Sequence, residues 1–300
     1  MLVASKHRRN KAICSKFALC SVTDMVIWAL FDSGHGCYRQ AVEKYFPNIT
    51  IYSIGLDIEN KNNHFISLDL SDYSEIFTGV NRIFEALEAL PSPDAILASP
   101  PCESWSMATA MRHGTNYWQQ IQEIDTLFGS YEVPTNFTLQ KKANVEMALE
   151  KRNGHFKPFW HKLVYNQVNG ILCAFNTLRI IERYAAKVWV IENPQTSKIW
   201  DYYEQIHGFV GVRNVAHYNY YDVAFSKKPT TFFSNIYLDL KTTPEAAAFT
   251  MGKSKNRPKI NGYNNRSAIP LELIRQMLKE IQIKINEVDK IGFFCETESE

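Results

Sequence analysis

The sequence predicts an α/β fold built around a doubly wound, mainly parallel β-sheet. Two observations predict it: the first half alternates short β-rich runs with helical stretches, and each run ends in a turn or a polar residue. A repeated order of strand, helix and strand is typical of parallel sheets covered by helices. We therefore expect a Rossmann-like sheet whose ligands lie at the carboxyl ends of the strands.

Four strands are predicted in the first half. The run Val-Ile-Trp-Ala-Leu-Phe at residues 26–31 is the first, because it is β-rich and is bounded by the turn Asp-Ser-Gly-His-Gly. The same reasoning places the next elements in chain order: a helix through residues 39–44, strands at 49–54 and 65–68, a helix at 81–89 and a strand at 95–98.

The second half begins differently. Residues 107–165 are polar and rich in aromatic side chains, and they predict an inserted helical or irregular lobe. The sheet is expected to resume with a helix at residues 168–186 and a buried strand at 188–191. A small C-terminal lobe follows. In it Pro270 opens a helix, an acidic tail begins after Ile291, and the core stripe of the helix is Ile274, Leu278, Ile281 and Ile285.

Composition narrows the class of protein. With 300 residues, 45% of them apolar, the chain can bury a large core, and its net charge of +2 argues against a generally polycationic binder. No apolar run approaches the roughly 20 residues of a membrane span, and no signal-like core follows the basic residues 6–11, so a cytoplasmic location is expected. Six cysteines without a C-x-x-C pair predict neither disulfides nor a metal site.

Cys102 is the strongest candidate for a catalytic residue. It follows Pro100 and Pro101, directly after the apolar run at residues 95–98. Two prolines fix φ and remove two backbone donors, so they suit a stiff turn after a strand better than the strand itself. Such a turn holds a thiol in one direction, as a nucleophile requires, although a free cysteine alone is more often a small buried hydrophobe.

Residues after the first three strands predict a cofactor that carries a nucleoside. Gly34 and Gly36 allow close approach of the backbone to a ligand and offer helix N-terminal N–H groups to an anion. Asp57 follows the second strand, where acidic residues accept hydrogen bonds from ribose hydroxyls. Asp69 follows the third strand, and an adenine contact or a turn before Ser71 explains it equally well. The absence of a G-x-x-x-x-G-K-[ST] motif disfavours phosphate-led ATP binding.

The order of these motifs resembles that of the cytosine-C5 methyltransferase family over nearly the whole chain. The Pro-Cys and Glu-Asn strand ends are its specific parts, and the compact layout is similar to small members encoded by phages and prophages. The matching segments are Leu-Phe-Asp-Ser-Gly-His-Gly at residues 30–36, Asp57, Asp69, Ser-Pro-Pro-Cys at 99–102, Ile-Glu-Asn-Pro at 191–194 and Ser-Ala-Ile-Pro at 267–270.

The resemblance implies a class I methyltransferase fold, S-adenosyl-L-methionine as the cofactor and DNA as the partner. The thiolate of Cys102 would add to cytosine C6, and Glu192 would contact the base at N3 and the amino group. Because C5 and C6 are hidden in a duplex, the target nucleotide must be flipped or unpaired. Cofactor contacts are expected at Phe31, Ser33, Gly34, Gly36, Asp57, Asp69, Pro100 and Ser267, and nucleic-acid contacts at Asn193, Lys227, Lys228, Lys253, Lys255 and Arg257.

The resemblance also divides the chain. Residues 1–106 would form the cofactor-binding half of the methyltransferase domain, and residues 166–235 its catalytic half. Residues 107–165 would be the inserted lobe, a candidate for nucleic-acid contact, and residues 236–262 a reduced target-recognition segment. Residues 263–300 would hold the C-terminal helix that returns to the core, with the acidic tail.

Three departures from the family pattern bear on the site. Glu103 stands where the family has glutamine, and Pro194 where it has valine. The supporting glutamine-arginine-arginine strand has no counterpart; the nearest segment is residues 220–231, where Lys227 or Lys228 is expected to substitute. A lysine lacks the planar fork of arginine and is not an equivalent donor.

Other functions stay open beside DNA cytosine-C5 methylation. An amino-methyltransferase acting on cytosine N4 or adenine N6 would need no thiol, and RNA cytosine would suit the short recognition segment. A fourth possibility is a non-catalytic methyltransferase-like protein that binds nucleic acid or a host partner as a decoy or regulator. The missing arginine strand favours this last function, and the joint presence of Cys102 and Glu192 favours catalysis.

Overall fold

The computed structural model describes residues 25–56, 64–106, 118–139, 141–143, 146–147, 160–247 and 267–297. Its elements in chain order are β1 (Met25–Leu30), α1 (Cys37–Tyr45), β2 (Ile49–Gly55), β3 (Phe65–Ser67), α2 (Glu75–Thr78), α3 (Arg82–Glu88), β4 (Ala95–Ala98), β5 (Trp118–Thr126), β6 (Gly129–Leu139), α4 (Trp160–Tyr184), β7 (Val188–Pro194), α5 (Ile199–Asp201) with a π-helical turn (Tyr202–Ile206), β8 (Val212–His217), α6 (Tyr218–Tyr221), β9 (Pro229–Ser234) and α7 (Leu271–Thr297).

The central sheet has seven strands in the order β3-β2-β1-β4-β7-β9-β8. The strands from β3 to β7 along this row run parallel, and β9 is antiparallel to both of its neighbours. The order reverses between β1 and β4, and ligands of open α/β sheets bind at such a reversal, outside the carboxyl ends of the strands. The mainly parallel Rossmann-like sheet predicted from the sequence is confirmed.

The two faces of the sheet bury alternate side chains of each central strand. In β1, Ile27 and Ala29 join the apolar cluster that includes α1 and α7, whereas Trp28 and Leu30 join the cluster that includes α3 and α4. Successive side chains of a strand point to opposite faces, so one apolar run supplies both layers of the core. Among the helices of the described residues, none is long and apolar enough to cross a membrane.

α7 packs through the stripe that the sequence predicts. Ile274, Leu278, Ile281 and Ile285 are at most 5% exposed, because residues three and four positions apart share one helix face. Shortening one of them to alanine would cost about 2–5 kcal/mol of unfolding free energy. An acidic tail was predicted after Ile291. In the structure α7 continues past Ile291 and ends at Thr297. The sequence in between contains no proline to stop it.

The predicted helical or irregular lobe at residues 107–165 contains instead an antiparallel pair, β5 and β6. Several of its large apolar side chains are exposed, including Leu127 and Phe128 at the turn. Among the side chains that the structure describes in this pair, at residues 122–133, none is buried, and such a stretch lacks the alternation of apolar and polar residues that makes strands recognisable. α4 begins at Trp160, so the predicted boundary at residue 165 falls inside this helix.

Candidate functional site

The turn after β1 brings the backbone close to a buried carboxylate. Phe31 has a left-handed φ of 61°, and the Gly36 N–H donates to the Ser33 carbonyl at 3.0 Å before α1 begins. A Cβ on Gly36 would lie 1.7 Å from Oδ1 of Asp32. Glycine is therefore required at position 36 to make room for Asp32, a role that the resemblance did not predict.

Asp32 is a site residue to which sequence reasoning assigned no role. It is 8% exposed and accepts a hydrogen bond from Ser53 Oγ on β2 at 2.9 Å. Arg39 of α1, itself 6% exposed, donates from Nε to Ser53 Oγ at 3.3 Å. The signal was present in the sequence, because an acidic residue directly after an apolar strand is placed at the ligand edge of a parallel sheet.

Cys102 lies on a turn after β4, as the prolines predict. The Ser99 N–H donates to the Leu30 carbonyl at 3.2 Å, so the β1–β4 ladder continues one residue beyond β4. Pro100 is buried, and the Cys102 carbonyl accepts from the Trp105 N–H at 3.1 Å. The Cys102 side chain is exposed and unbridged. The turn therefore presents the thiol at the carboxyl end of the sheet.

Glu192 and Asn193 lie within β7 and not beyond its end, where the sequence predicted them. Antiparallel pairing with β9 extends β7 to Pro194. Glu192 is 8% exposed and accepts a hydrogen bond from Tyr218 Oη at 3.2 Å. Asn193 Nδ2 donates to the Pro100 carbonyl at 2.9 Å and so joins β7 to the turn of Cys102.

The charges around Cys102 oppose its ionisation. Although the Cys102 side chain reaches the surface, the protein atoms packed around it desolvate the thiol and raise its pKa; the Glu192 carboxylate raises this pKa further, and the Lys228 ammonium lowers it. Burial also raises the pKa of Cys37, and Glu192 and Asp32 act in the same direction there. The edge of the sheet is therefore anionic, and the resting thiol is mostly protonated at neutral pH.

Lys228 is a predicted nucleic-acid residue that contacts Tyr218, the partner of Glu192. Its Nζ lies 4.7 Å from the ring centroid of Tyr218. Lys227 and Lys228 are half-buried and precede β9, so neither belongs to the strand that the resemblance implies. Lys253, Lys255 and Arg257 lie outside the described residues and stay predictions.

The expected cofactor residues are only partly brought together. Ser33, Gly34 and Gly36 form the β1 turn, beside the Pro100 turn of the neighbouring strand. Asp69 Oδ1 accepts hydrogen bonds from both the N–H and the Oγ of Ser71, at 2.9 and 2.7 Å. Of the two explanations that the sequence offered for Asp69, the turn before Ser71 is therefore present. Ser267 is exposed, and Asp57 lies outside the described residues.

Gln167 is a second residue that sequence reasoning missed. It is 3% exposed on α4, and neither its Nε2 nor its Oε1 has a hydrogen-bond partner among the described residues. The adjacent Asn166 carbonyl accepts from Ser104 Oγ at 2.5 Å, so Gln167 lies near the turn that follows Cys102. A buried amide without a partner is rare, and a polar ligand would explain it. No local pattern in the sequence marks it.

Comparison with known proteins gives no match: no family model fits the chain, and no curated protein is significantly similar to it. The function must therefore be inferred from the geometry and chemistry of this site.

Proposed function

We propose that the protein is an S-adenosyl-L-methionine-dependent DNA cytosine-C5 methyltransferase. The observation that carries the proposal is that the turn after β4, which holds Cys102, lies beside the adjacent strand β7, which holds Glu192, and that the Asn193 side chain of β7 donates a hydrogen bond to Pro100 of that turn. A thiol and a carboxylate at the reversal point of a parallel sheet stand where ligands of such sheets bind. The antiparallel strand near the edge of the sheet also agrees with the class I methyltransferase fold that the resemblance implies.

The two side chains have separate tasks in this chemistry. The Cys102 thiolate forms a bond to cytosine C6, and the electron pair of the C5–C6 double bond makes C5 nucleophilic. Glu192 binds the base at N3 and the amino group, where it favours the charge distribution that makes C6 electrophilic. After C5 is methylated, loss of its proton to water re-forms the double bond, and the pair of the C6–S bond returns to Cys102.

S-adenosyl-L-methionine, when bound, supplies the electrophilic methyl group on a sulfonium. The residues present fit this group in charge, because Asp32 and Glu192 make the edge of the sheet anionic. Ser33, Gly34 and Gly36 would bring their backbone against it. The unpartnered amide of Gln167 and the unpartnered, buried Oδ1 of Asn193 offer polar atoms to a ligand.

A non-catalytic role is the second candidate, and one observation favours it. The pKa of the Cys102 thiol is raised by burial and by Glu192, whereas a nucleophile needs its thiolate. In this role the same fold would bind nucleic acid or a partner protein without methylating it.

The test is mass spectrometry of nucleosides from DNA and RNA of cells that express the protein. We expect 5-methylcytosine in DNA with the wild type and its loss with Cys102→Ala, while calorimetry shows S-adenosyl-L-methionine binding unchanged. Cys173→Ala is the matched control, because Cys173 is a buried thiol on α4, and it should keep the activity.

Three other results of this experiment would change the proposed function. Methylation that survives Cys102→Ala would overturn the nucleophile assignment and favour an amino-methyltransferase. 5-Methylcytosine found in RNA and not in DNA would show that the substrate is RNA instead of DNA. Folded wild-type protein that binds the cofactor and modifies neither nucleic acid would establish the non-catalytic role.

A further inference from the structure

Lys228 has a backbone conformation that its residue type does not favour. Its φ is 26°, whereas a left-handed backbone is usual for glycine and tolerated by asparagine. The segment is held on both sides: the Lys227 carbonyl accepts from the Tyr218 N–H at 3.0 Å, and the Lys228 carbonyl accepts from Thr230 Oγ1 at 3.1 Å. Strained residues of this kind gather at functional sites, where surrounding contacts hold them.

The contacts of Lys228 lead directly to Glu192. Its ammonium lies 4.7 Å from the ring centroid of Tyr218, an arrangement that the ring quadrupole stabilises. The hydroxyl of that buried ring donates to Glu192 Oε1 at 3.2 Å. Tyr218 therefore orients a carboxylate through its hydroxyl and a cation through its ring.

Cys102 is surrounded by more negative than positive charge. Glu192 of β7 and Glu103 of its own turn raise the pKa of the thiol by their negative charge, and Lys228 of the segment before β9 lowers it by its positive charge. Lys228 also acts on Cys37 at the start of α1, where Asp32 and Glu192 oppose it. Lys228 thus acts on both thiols.

We propose that Lys228, held over Tyr218 by its strained backbone, is the cation that stabilises the Cys102 thiolate in a site without the supporting arginine strand. When the S–H bond breaks, its electron pair stays on sulfur and its proton passes to water. The positive charge of Lys228 offsets the charge of Glu192. The inference rests on the proposed function only in one respect: the identity of the target, cytosine C6, that the thiolate then attacks.

The experiment measures the rate of Cys102 alkylation by iodoacetamide from pH 7 to pH 12, a range that includes a midpoint above the ordinary thiol pKa of 9.0, on the whole chain without cofactor or nucleic acid. Peptide mass spectrometry separates Cys102 from the other cysteines. Lys228→Asn removes the charge and suits the left-handed backbone, Lys228→Arg keeps the charge, and Lys227→Asn is the matched control. Lys228→Gly serves as the neutral variant if Lys228→Asn does not fold.

We expect the neutral variant at position 228 to raise the midpoint of the alkylation profile by about one pH unit, a tenfold loss of rate at neutral pH. Lys228→Arg and Lys227→Asn should react like the wild type. An unchanged midpoint in the neutral variant, or an equal shift in Lys227→Asn, would overturn the proposal. Because alkylation needs no methyl transfer, this result is independent of whether cells acquire 5-methylcytosine.

Discussion

Asn193 Nδ2 donates to the carbonyl oxygen of Pro100 at 2.9 Å, across 93 positions of the sequence. The bond is buried and joins β7, which carries Glu192, to the turn that carries Cys102. The bond supplies a donor to the Pro100 carbonyl in a turn where Pro100 and Pro101 have no backbone N–H group to donate. One side-chain amide thus sets the relative position of the proposed nucleophile and the proposed base-binding carboxylate.

Removing this amide should reduce both stability and activity. We expect Asn193→Ala to lower the free energy of unfolding by about 1–3 kcal/mol, because a buried carbonyl loses its donor. Urea denaturation measures the loss, and single-turnover methylation should fall more than S-adenosyl-L-methionine affinity.

Asn235→Ala is the matched control for Asn193→Ala. Asn235 binds the Trp189 N–H and the Lys187 carbonyl at the opposite end of β7, both at 3.0 Å. The Asn235→Ala variant should lower the free energy of unfolding without a specific loss of methylation. Equal effects of the two variants on methylation would mean that Asn193 is only structural.

Gln167 should affect ligand binding and stability in opposite directions. We expect Gln167→Met to leave the free energy of unfolding unchanged or raised, because an unsatisfied buried amide is replaced by an apolar side chain of similar size. Affinity for S-adenosyl-L-methionine, measured by calorimetry, should fall if the amide serves the cofactor.

Asn176→Leu on the same helix is the contrast for Gln167→Met. Asn176 Nδ2 donates to the Leu70 carbonyl at 2.9 Å, so its loss should destabilise the fold. A destabilised Gln167→Met variant with unchanged cofactor affinity would show that Gln167 has a structural partner instead.

Alkaline pH should weaken the fold through Cys173. Burial raises the pKa of this thiol from 9.0 to about 12. The folded state therefore keeps the proton that the unfolded chain releases above pH 9, so the contribution to stability is complete below pH 9 and is lost between pH 9 and pH 12.

Urea denaturation at pH 8 and pH 10 measures this loss. We expect Cys173→Ala to remove more than about 1 kcal/mol of the wild-type decrease between these two values. The pH-dependent difference is the quantity compared, since the smaller side chain also lowers stability at every pH. Parallel pH profiles for the two proteins would contradict the assignment.

The sequence predicted the parallel strands of the central sheet and missed the antiparallel strands β5, β6, β8 and β9. The strand at residues 95–98 has the bounds of β4, because a continuous apolar run is typical of a parallel strand covered on both faces. β5 and β6 were missed, since the side chains described in them, at residues 122–133, are not buried and impose no apolar period. The extension of β7 through Glu192 was missed as well, because it depends on pairing with β9.

Local chemistry by itself determined the rhythm of strands and helices, the apolar stripe of α7 and the position of Cys102 after a strand. Periodicity and proline geometry act over a few residues and are legible in the chain. Only the tertiary structure decided that Tyr218 hydrogen-bonds to Glu192, that the Lys228 ammonium lies over the Tyr218 ring, and that the Gln167 amide is buried without a hydrogen-bond partner among the described residues. These relations depend on strand order and antiparallel pairing, which join residues that no local pattern connects.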